Sequence, residues 1–180
     1  LSAADPAPLP SPWLNALRNG GFEGYEGDLV DTWAMRALDH WVGIDSSGFA
    51  AGSEVLSLDP LSLPVTATQE VWASKGLAAT EGVHKLELDI YNGKVDALYQ
   101  AFETRAGVDY VLTLDAYART EGSSDIEVWI DGAYVTTLTP PAEASGWATF
   151  EVPFVGAGGE QTLMLREVPA QNDGQGAILD

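Results

Sequence analysis

The stretch IEVWIDGAYVTTL, residues 126–138, carries the clearest fold signal in this chain. Apolar residues occupy every second position as far as Ile130, and a period of two is typical of a strand with one buried face. Asp131-Gly132 follows, and an Asp-Gly pair between two such runs predicts a two-residue hairpin turn, because both central residues of that turn need a positive φ. The sequence therefore predicts an antiparallel hairpin that joins 125–130 to 133–138.

The same period recurs through the second half of the chain. Alternating apolar residues mark runs at 84–90, 109–118, 150–154 and 163–165. Turn signals separate these runs, at Asn92-Gly93, Ala106-Gly107, Glu121-Gly122 and 156–159. Short alternating strands with turns between them predict an all-β sandwich of antiparallel sheets.

Residues 24–82 are less regular than the rest of the chain. We interpret them as long loops with two or three strands, near 53–58, 65–72 and 38–44. The segment 33–39 has room for one helical turn at most, and no amphipathic helix is predicted elsewhere. This half of the domain is therefore the part that the sequence predicts least well.

Length and charge limit the functions that the chain can have. Its 180 residues predict one domain, and 27 acidic residues against 8 basic ones give a formal net charge of −19. Such a field repels phosphate backbones and anionic lipids, so we expect no nucleic-acid partner and no membrane insertion. A hydrophobic content of 46% predicts a folded core in spite of the charge.

The first residues differ in composition from the rest. Residues 1–17 contain four prolines, at Pro6, Pro8, Pro10 and Pro12, which predicts a stiff spacer or arm. The globular module is predicted to span 18–180. The chain starts at Leu1 and has no cysteine, which excludes disulfides, thiolate zinc sites and cysteine nucleophiles. With the strong acidity, these features predict a segment of an exported bacterial protein, although cytosolic proteins also often lack cysteine.

Several short pieces resemble a known family. Asn19-Gly20-Gly21-Phe22-Glu23 resembles the opening of galactose-binding-like jelly-roll modules, which include several carbohydrate-binding module families, and 176–180 resembles their closing Gly-x-Leu-Leu-Asp. Pieces of the same family pattern follow in order at 70–72, 81–89, 97–100, 107–114, 126–132 and 147–154. The succession is most similar to modules of large secreted bacterial RTX-type adhesins and calcium-binding exoproteins. The resemblance implies a jelly-roll β-sandwich that binds carbohydrate outside the cell or on its surface.

The resemblance also implies a structural calcium site where the opening motif meets the closing strand. Carried over to this sequence, Glu23 and Asp180 would offer carboxylates, and the region of Glu81 would complete the shell. Calcium binds six to eight hard oxygen ligands, so acidic residues far apart in sequence can join both ends of a sandwich. The alternative is that Glu23 caps backbone amides and that Asp180 is a solvated terminus.

The alternation itself suggests a ligand-binding face. If strands 109–118 and 125–131 are near neighbours, the residues out of phase with the core share one sheet face: Tyr117, Trp129, Asp115, Glu127 and Arg119. An aromatic ring beside charged groups is the combination that sugar recognition uses. The alternative is that Trp129 and Tyr117 pack under a loop from 24–82. A second candidate is the loop edge, with Trp33, Trp41, Trp72, Tyr91 and Asp96.

No catalytic motif is present in the sequence. A nucleophile elbow, a zinc-protease helix, a phosphate-binding loop and a dinucleotide fingerprint are all missing. We therefore predict a non-catalytic binding module whose partner is a carbohydrate or glycan surface. The alternative function is a structural or assembly module, a spacer or fibre protomer, that contacts neighbouring domains or copies of itself.

Overall fold

Two antiparallel sheets make up the computed structural model, which describes residues 16–49, 57–66, 68–90 and 94–180. The strands are β1 Trp33–Arg36, β2 Val42–Asp45, β3 Val65–Thr66, β4 Gln69–Trp72, β5 Lys85–Glu87, β6 Asp96–Thr104, β7 Asp109–Ala118, β8 Ile126–Ile130, β9 Ala133–Leu138, β10 Ala148–Val155, β11 Gly159–Glu167 and β12 Ala177–Leu179. Three short 3-10 turns lie at Pro60–Ser62, Glu143–Ser145 and Pro169–Gln171. The predicted all-β fold class is confirmed.

Strands that follow one another in sequence are repeatedly placed in opposite sheets. The first sheet has the order β1-β4-β5-β12-β7-β10, and the second has the order β3-β2-β6-β11-β8-β9. The closing strand β12 lies inside the first sheet, between β5 and β7. This crossing of the chain between two packed sheets is the jelly-roll β-sandwich that the sequence predicted.

The hairpin predicted around Asp131-Gly132 is confirmed. β8 and β9 pair with Ile130 opposite Ala133, and the turn residues have φ values of 52° and 75°. The inward side chains also follow the predicted alternation. Leu112, Leu114 and Ala116 of β7 lie in the main core between the sheets, together with the inward residues of β8.

In the irregular half, one strand was not predicted and one prediction is wrong. Residues 33–36, where the sequence left room for one helical turn at most, form the edge strand β1, and all four residues are register partners of β4. The single strand predicted over 65–72 is divided between β3 and β4, which belong to different sheets. The chain therefore passes from one sheet to the other within this short segment.

Part of each sheet is covered on its outer face as well. Leu58 and Leu63 pack on the outer side of the second sheet, and Leu77 packs on the outer side of the first. These residues belong to connections that have no regular period. Two small apolar clusters therefore lie outside the main core, and they bury side chains that the strand pattern alone assigns to solvent.

Some predictions fall on other parts of the chain. Residues 1–15, most of the strand predicted near 53–58, and the turn at Asn92-Gly93 lie outside the described residues. Within the described part, Leu17 packs against the main core, and the backbone of Arg18 exchanges two hydrogen bonds with the Gln100 amide. No helix in the described part has the length and hydropathy that crossing a membrane requires.

Candidate functional site

The predicted ligand-binding face is not formed. Tyr117 lies on β7 in the first sheet, whereas Trp129 lies on β8 in the second, so the two strands are not neighbours. Both residues are 0% exposed. The sequence correctly predicted that both side chains point away from the main core. The expectation of a shared exposed face was wrong, because a different loop covers each of the two residues.

Trp129 is held inside a buried polar and apolar cluster. Its ring packs with Leu58 and Met164 and meets the Tyr134 ring edge to face at 5.6 Å. The indole Nε1 donates to Glu127 Oε2 at 3.1 Å. No part of this side chain is available to stack on a ligand.

Glu127 is also occupied, in an ion pair that sequence reasoning missed. Its Oε2 lies 2.9 Å from Arg166 Nη1. Arg166 also donates to the hydroxyl of Ser46 at 2.7 Å and to the carbonyl of Phe49 at 2.8 Å. The pair therefore fastens the segment after β2 to the second sheet. Arg166 lies opposite Glu127 in the pairing of β11 with β8. The pair could not be predicted because the sequence alone does not determine which residues of these strands are opposite each other.

Tyr117 lies under the connection that follows β4. Its ring meets Trp147 edge to face at 4.6 Å, and Trp147 Nε1 donates to the carbonyl of Ala78 at 2.8 Å. Burial raises the pKa of Tyr117 to about 12. The sequence alternative, in which both aromatic residues pack under a loop from 24–82, is confirmed.

Asp115 and Arg119 are half-buried and have partners within the fold. Asp115 accepts a hydrogen bond from the Thr149 hydroxyl on the neighbouring strand. Arg119 Nη1 lies 2.6 Å from Glu87 Oε1. Burial raises the pKa of Glu87 to about 7, although the hydrogen bond from Arg119 opposes that shift. The five predicted residues therefore stabilise separate parts of the structure and form no common site.

The alternative set at the loop edge is divided as well. Trp41 is buried and donates to the carbonyl of Asn19 at 2.8 Å. Asp96 is buried on the second sheet, and Tyr91 lies outside the described residues. Trp33 and Trp72 are register partners on β1 and β4. They are the two residues of this set that the structure places side by side.

Trp33 is the tryptophan of this set whose ring remains accessible. It is 50% exposed, whereas Trp72 is 2% exposed. Lys75 Nζ lies 3.8 Å from the centre of the Trp72 ring and 5.5 Å from that of Trp33. Glu70 Oε1 accepts from Trp72 Nε1 at 2.7 Å and lies 3.8 Å from Lys75 Nζ. We call these four residues the Trp33 patch.

A surface depression begins beside the Trp33 patch. It has a volume of about 460 Å³, and its lining includes Asp31, Ser74 and the connection from Gly76 to Val83. The Ser74 hydroxyl donates to the carbonyl of Asp31 at 2.8 Å, which joins the segment before β1 to the segment after β4. An accessible aromatic ring thus lies close to a concavity whose lining is mostly apolar, with Asp31 and Ser74 as its polar residues.

The residues of the predicted calcium site both contact the connection before β5. Glu23 accepts from the backbone amide of His84 at 2.7 Å, and its second oxygen lies 2.7 Å from His84 Nδ1. Burial opposes ionisation of Glu23, but the amides of His84 and Val83 lower its pKa overall. Asp180 Oδ2 accepts from the amide of Glu81 at 2.9 Å and from the Thr80 hydroxyl at 3.0 Å.

One oxygen at this position suits a cation. Asp180 Oδ1 is buried and has no hydrogen-bond partner among the described residues, and a Cβ at Gly21 would lie 3.7 Å from it. Burial raises the pKa of Asp180. Glu81 is exposed and contributes its backbone amide, not a carboxylate. Asp180 Oδ1 is thus an oxygen that a cation could complete, whereas Glu23 caps backbone amides, as the sequence alternative states, and the Glu81 side chain is not placed for a cation.

Comparisons with known proteins find the fold. No family model matches the chain, and no curated protein matches it. Among solved structures, it is similar to the K2 cleaved adhesin domain of Lys-gingipain, with a TM-score of 0.51, 16% identity, and coverage of 80% of this chain and 88% of that one. A family 35 carbohydrate-binding module from Clostridium thermocellum has a TM-score of 0.45 and 10% identity, and the match covers 73% of this chain and 91% of that one. A family 35 module from an environmental isolate has a TM-score of 0.44 and 14% identity, and the match covers 77% of this chain and 88% of that one. At these identities the likeness concerns the fold alone, and the fold is a jelly-roll β-sandwich.

Proposed function

We propose that the chain is a non-catalytic carbohydrate-binding module of a secreted or cell-surface protein, and that the Trp33 patch is its contact surface. The observation that carries this proposal is the half-exposed ring of Trp33 beside the charged groups of Lys75 and Glu70. The other predicted aromatic contacts, Trp129 and Tyr117, are buried. We therefore assign the contact surface to β1 and the segment after β4, and not to the face that the sequence predicted.

The chemistry of the patch suits a sugar ring. An exposed indole leaves apolar area in water, and covering it with the C–H face of a pyranose recovers about 25 cal/mol for each Å² buried. Lys75 donates hydrogen bonds, and Glu70 accepts them. Asp31 and Ser74 in the adjoining depression extend the polar surface in the direction that a second sugar unit would take.

The same proposal includes a structural calcium ion near the chain ends. Asp180 Oδ1 and the Glu23 carboxylate would hold it, and the ion would supply the positive charge that the buried Asp180 oxygen lacks. Its role is stability, because binding to the folded state alone shifts the unfolding equilibrium. The proposal of export rests on the net charge of −19.

A glycan array tests the function directly. The wild-type chain is screened with and without calcium, in parallel with Trp33→Ala and with Leu61→Ala, a control at an exposed apolar residue of the 3-10 turn Pro60–Ser62. We expect retention on one class of glycan for the wild type and the control, and loss of retention for Trp33→Ala. No retention on any glycan, together with self-association in sedimentation velocity, would instead favour the assembly module.

A further inference from the structure

Three acidic side chains converge at one end of the sandwich, away from the Trp33 patch. Asp89 follows β5, Asp96 begins β6 and Glu167 ends β11. Each side chain contributes a carboxylate oxygen, and these atoms lie within 4.8 Å of one another. The three residues are 1%, 3% and 4% exposed. Elements of both sheets therefore meet at this buried cluster.

Backbone amides orient the two aspartates. Asp89 Oδ2 accepts from the amides of Asp173, Gly174 and Gln175 at 3.0, 2.8 and 3.2 Å. Asp96 Oδ2 accepts from the amide of Ile90 at 2.8 Å. Three amides on one oxygen fix the direction of the Asp89 carboxylate. Its other oxygen is therefore held toward the cluster.

Several oxygens in the cluster have no donor. Asp89 Oδ1 and both Glu167 oxygens are buried without a hydrogen-bond partner among the described residues. None of the ion pairs in that part of the chain includes Asp89 or Glu167, and the neighbouring Arg166 points to the other face of β11, where it binds Glu127. Buried acidic oxygens of this kind need positive charge.

We propose that Asp89, Asp96 and Glu167 bind a hard divalent cation of the calcium type. The donor set consists of carboxylate oxygens, which calcium prefers, and it contains no nitrogen or sulfur ligand that would favour zinc. The surrounding backbone is packed closely against Asp89, because a Cβ at Gly176 would lie 2.5 Å from the Asp89 Cβ. A glycine there keeps the aspartate in position.

This site is separate from the one at Glu23 and Asp180. Gly176, which packs against Asp89, and Asp180 lie just beyond the two ends of β12, and the four residues of extended chain between them correspond to about 13 Å at roughly 3.3 Å per residue. The cation at Asp89 would join the end of β5 and the residues before β12, in the first sheet, to β6 and β11 in the second. It would therefore act as a clamp between the sheets.

The competing explanation is a shared proton. A protonated Glu167 could donate to Asp89, and the cluster would then need no metal. The two explanations differ in one measurable property, which is the dependence of stability on calcium. A proton-sharing cluster gives the same melting temperature in calcium and in chelator, whereas a metal site raises the melting temperature only when the ion is present.

Calorimetric calcium titration and thermal melting test the proposal on the wild type, on Glu167→Gln, and on Glu160→Gln as a matched control at an exposed residue of the same strand. The wild type and Glu160→Gln should bind calcium at this site and melt at a higher temperature when it is present. Glu167→Gln should lose at least tenfold in affinity at one site. In chelator, it should melt at or above the wild-type temperature, because it removes a buried acidic group that has no partner.

A nuclear magnetic resonance titration of the wild type localises the ion without any substitution. Calcium should shift the amide signals of Asp173, Gly174 and Gln175, whose donors share the Asp89 carboxylate. Calcium-induced shifts confined to Thr80, Glu81 and Asp180, or no shifts at all, would overturn the proposal. An equal gain in melting temperature from calcium for the wild type and Glu167→Gln would overturn it as well.

Discussion

Arg166 and Glu127 are register partners on β11 and β8, and their side chains form an ion pair of 2.9 Å with 0% and 1% of their surface exposed. The pair lies outside the main core, on the covered outer face of the second sheet, with Trp129 donating to the same carboxylate oxygen. Polar residues predicted to face solvent thus form an internal layer. The functional surface must therefore be sought where an aromatic side chain stays exposed, as Trp33 does on the first sheet.

The first prediction concerns the buried ion pair. Arg166→Met should destabilise the fold by about 3–5 kcal/mol, because it leaves the Glu127 carboxylate buried without its partner. Adding Glu127→Gln should recover a large part of that loss by removing the isolated charge. Chemical denaturation of both variants measures the effect. Equal stability of the single variant and the wild type would show that the pair is open to solvent.

Trp129→Ala should be strongly destabilising. The side chain is 0% exposed and packs in the cluster with Leu58 and Met164, so its removal leaves a cavity that costs about 3–5 kcal/mol. The sequence pattern alone predicts a surface position and a cost within about 0.5 kcal/mol. Urea unfolding distinguishes the two values. A variant as stable as the wild type would place the ring in solvent after all.

Gly76 should tolerate no side chain. Its φ is 72°, and a Cβ would collide with the Tyr117 hydroxyl. Gly107 has the same φ with nothing within 4 Å, which makes Gly107→Ala a matched control for backbone strain alone. Gly107→Ala should cost about 1 kcal/mol, and Gly76→Ala clearly more. Equal losses, measured by thermal melting, would mean that the loop does not press on Tyr117.

Chelation should lower the melting temperature of the wild type. A cation at 100 times its dissociation constant stabilises the folded state by about 2.7 kcal/mol for each site. In the Glu167→Gln background, the remaining calcium effect should come from Asp180 and should be removed by Asp180→Asn. If calcium leaves melting unchanged in every background, neither carboxylate group holds a structural ion.

The sequence located β7 to β11 because each shows a period of two, although it marked only 163–165 of β11 and predicted no alternating run over β6. It placed Tyr117 and Trp129 correctly out of phase with the core. It failed on their exposure, since the covering segments around Leu58 and Leu77 have no period to read. It also failed on their proximity, because β7 and β8 are consecutive in sequence but lie in opposite sheets.

The buried acidic cluster was missed for a related reason. Asp89, Asp96 and Glu167 are single acidic residues at strand ends in a chain that has 27 acidic residues. Their spacing in the sequence follows no recognisable motif, because only the strand order of the two sheets brings them together. Glu167 is in phase with Leu163 and Leu165, and an acidic residue at an inward position is the one local signal that points to this site.

The affinity of Trp33→Ala for the glycan that the wild type binds best on the array tests the central claim most directly. Trp33 is half exposed, so the variant should keep its stability within about 1 kcal/mol of the wild type. Loss of the stacking ring should raise the dissociation constant at least tenfold in a calorimetric titration, while the Leu61→Ala control binds like the wild type. An unchanged dissociation constant for a folded Trp33→Ala would contradict a carbohydrate contact at this patch.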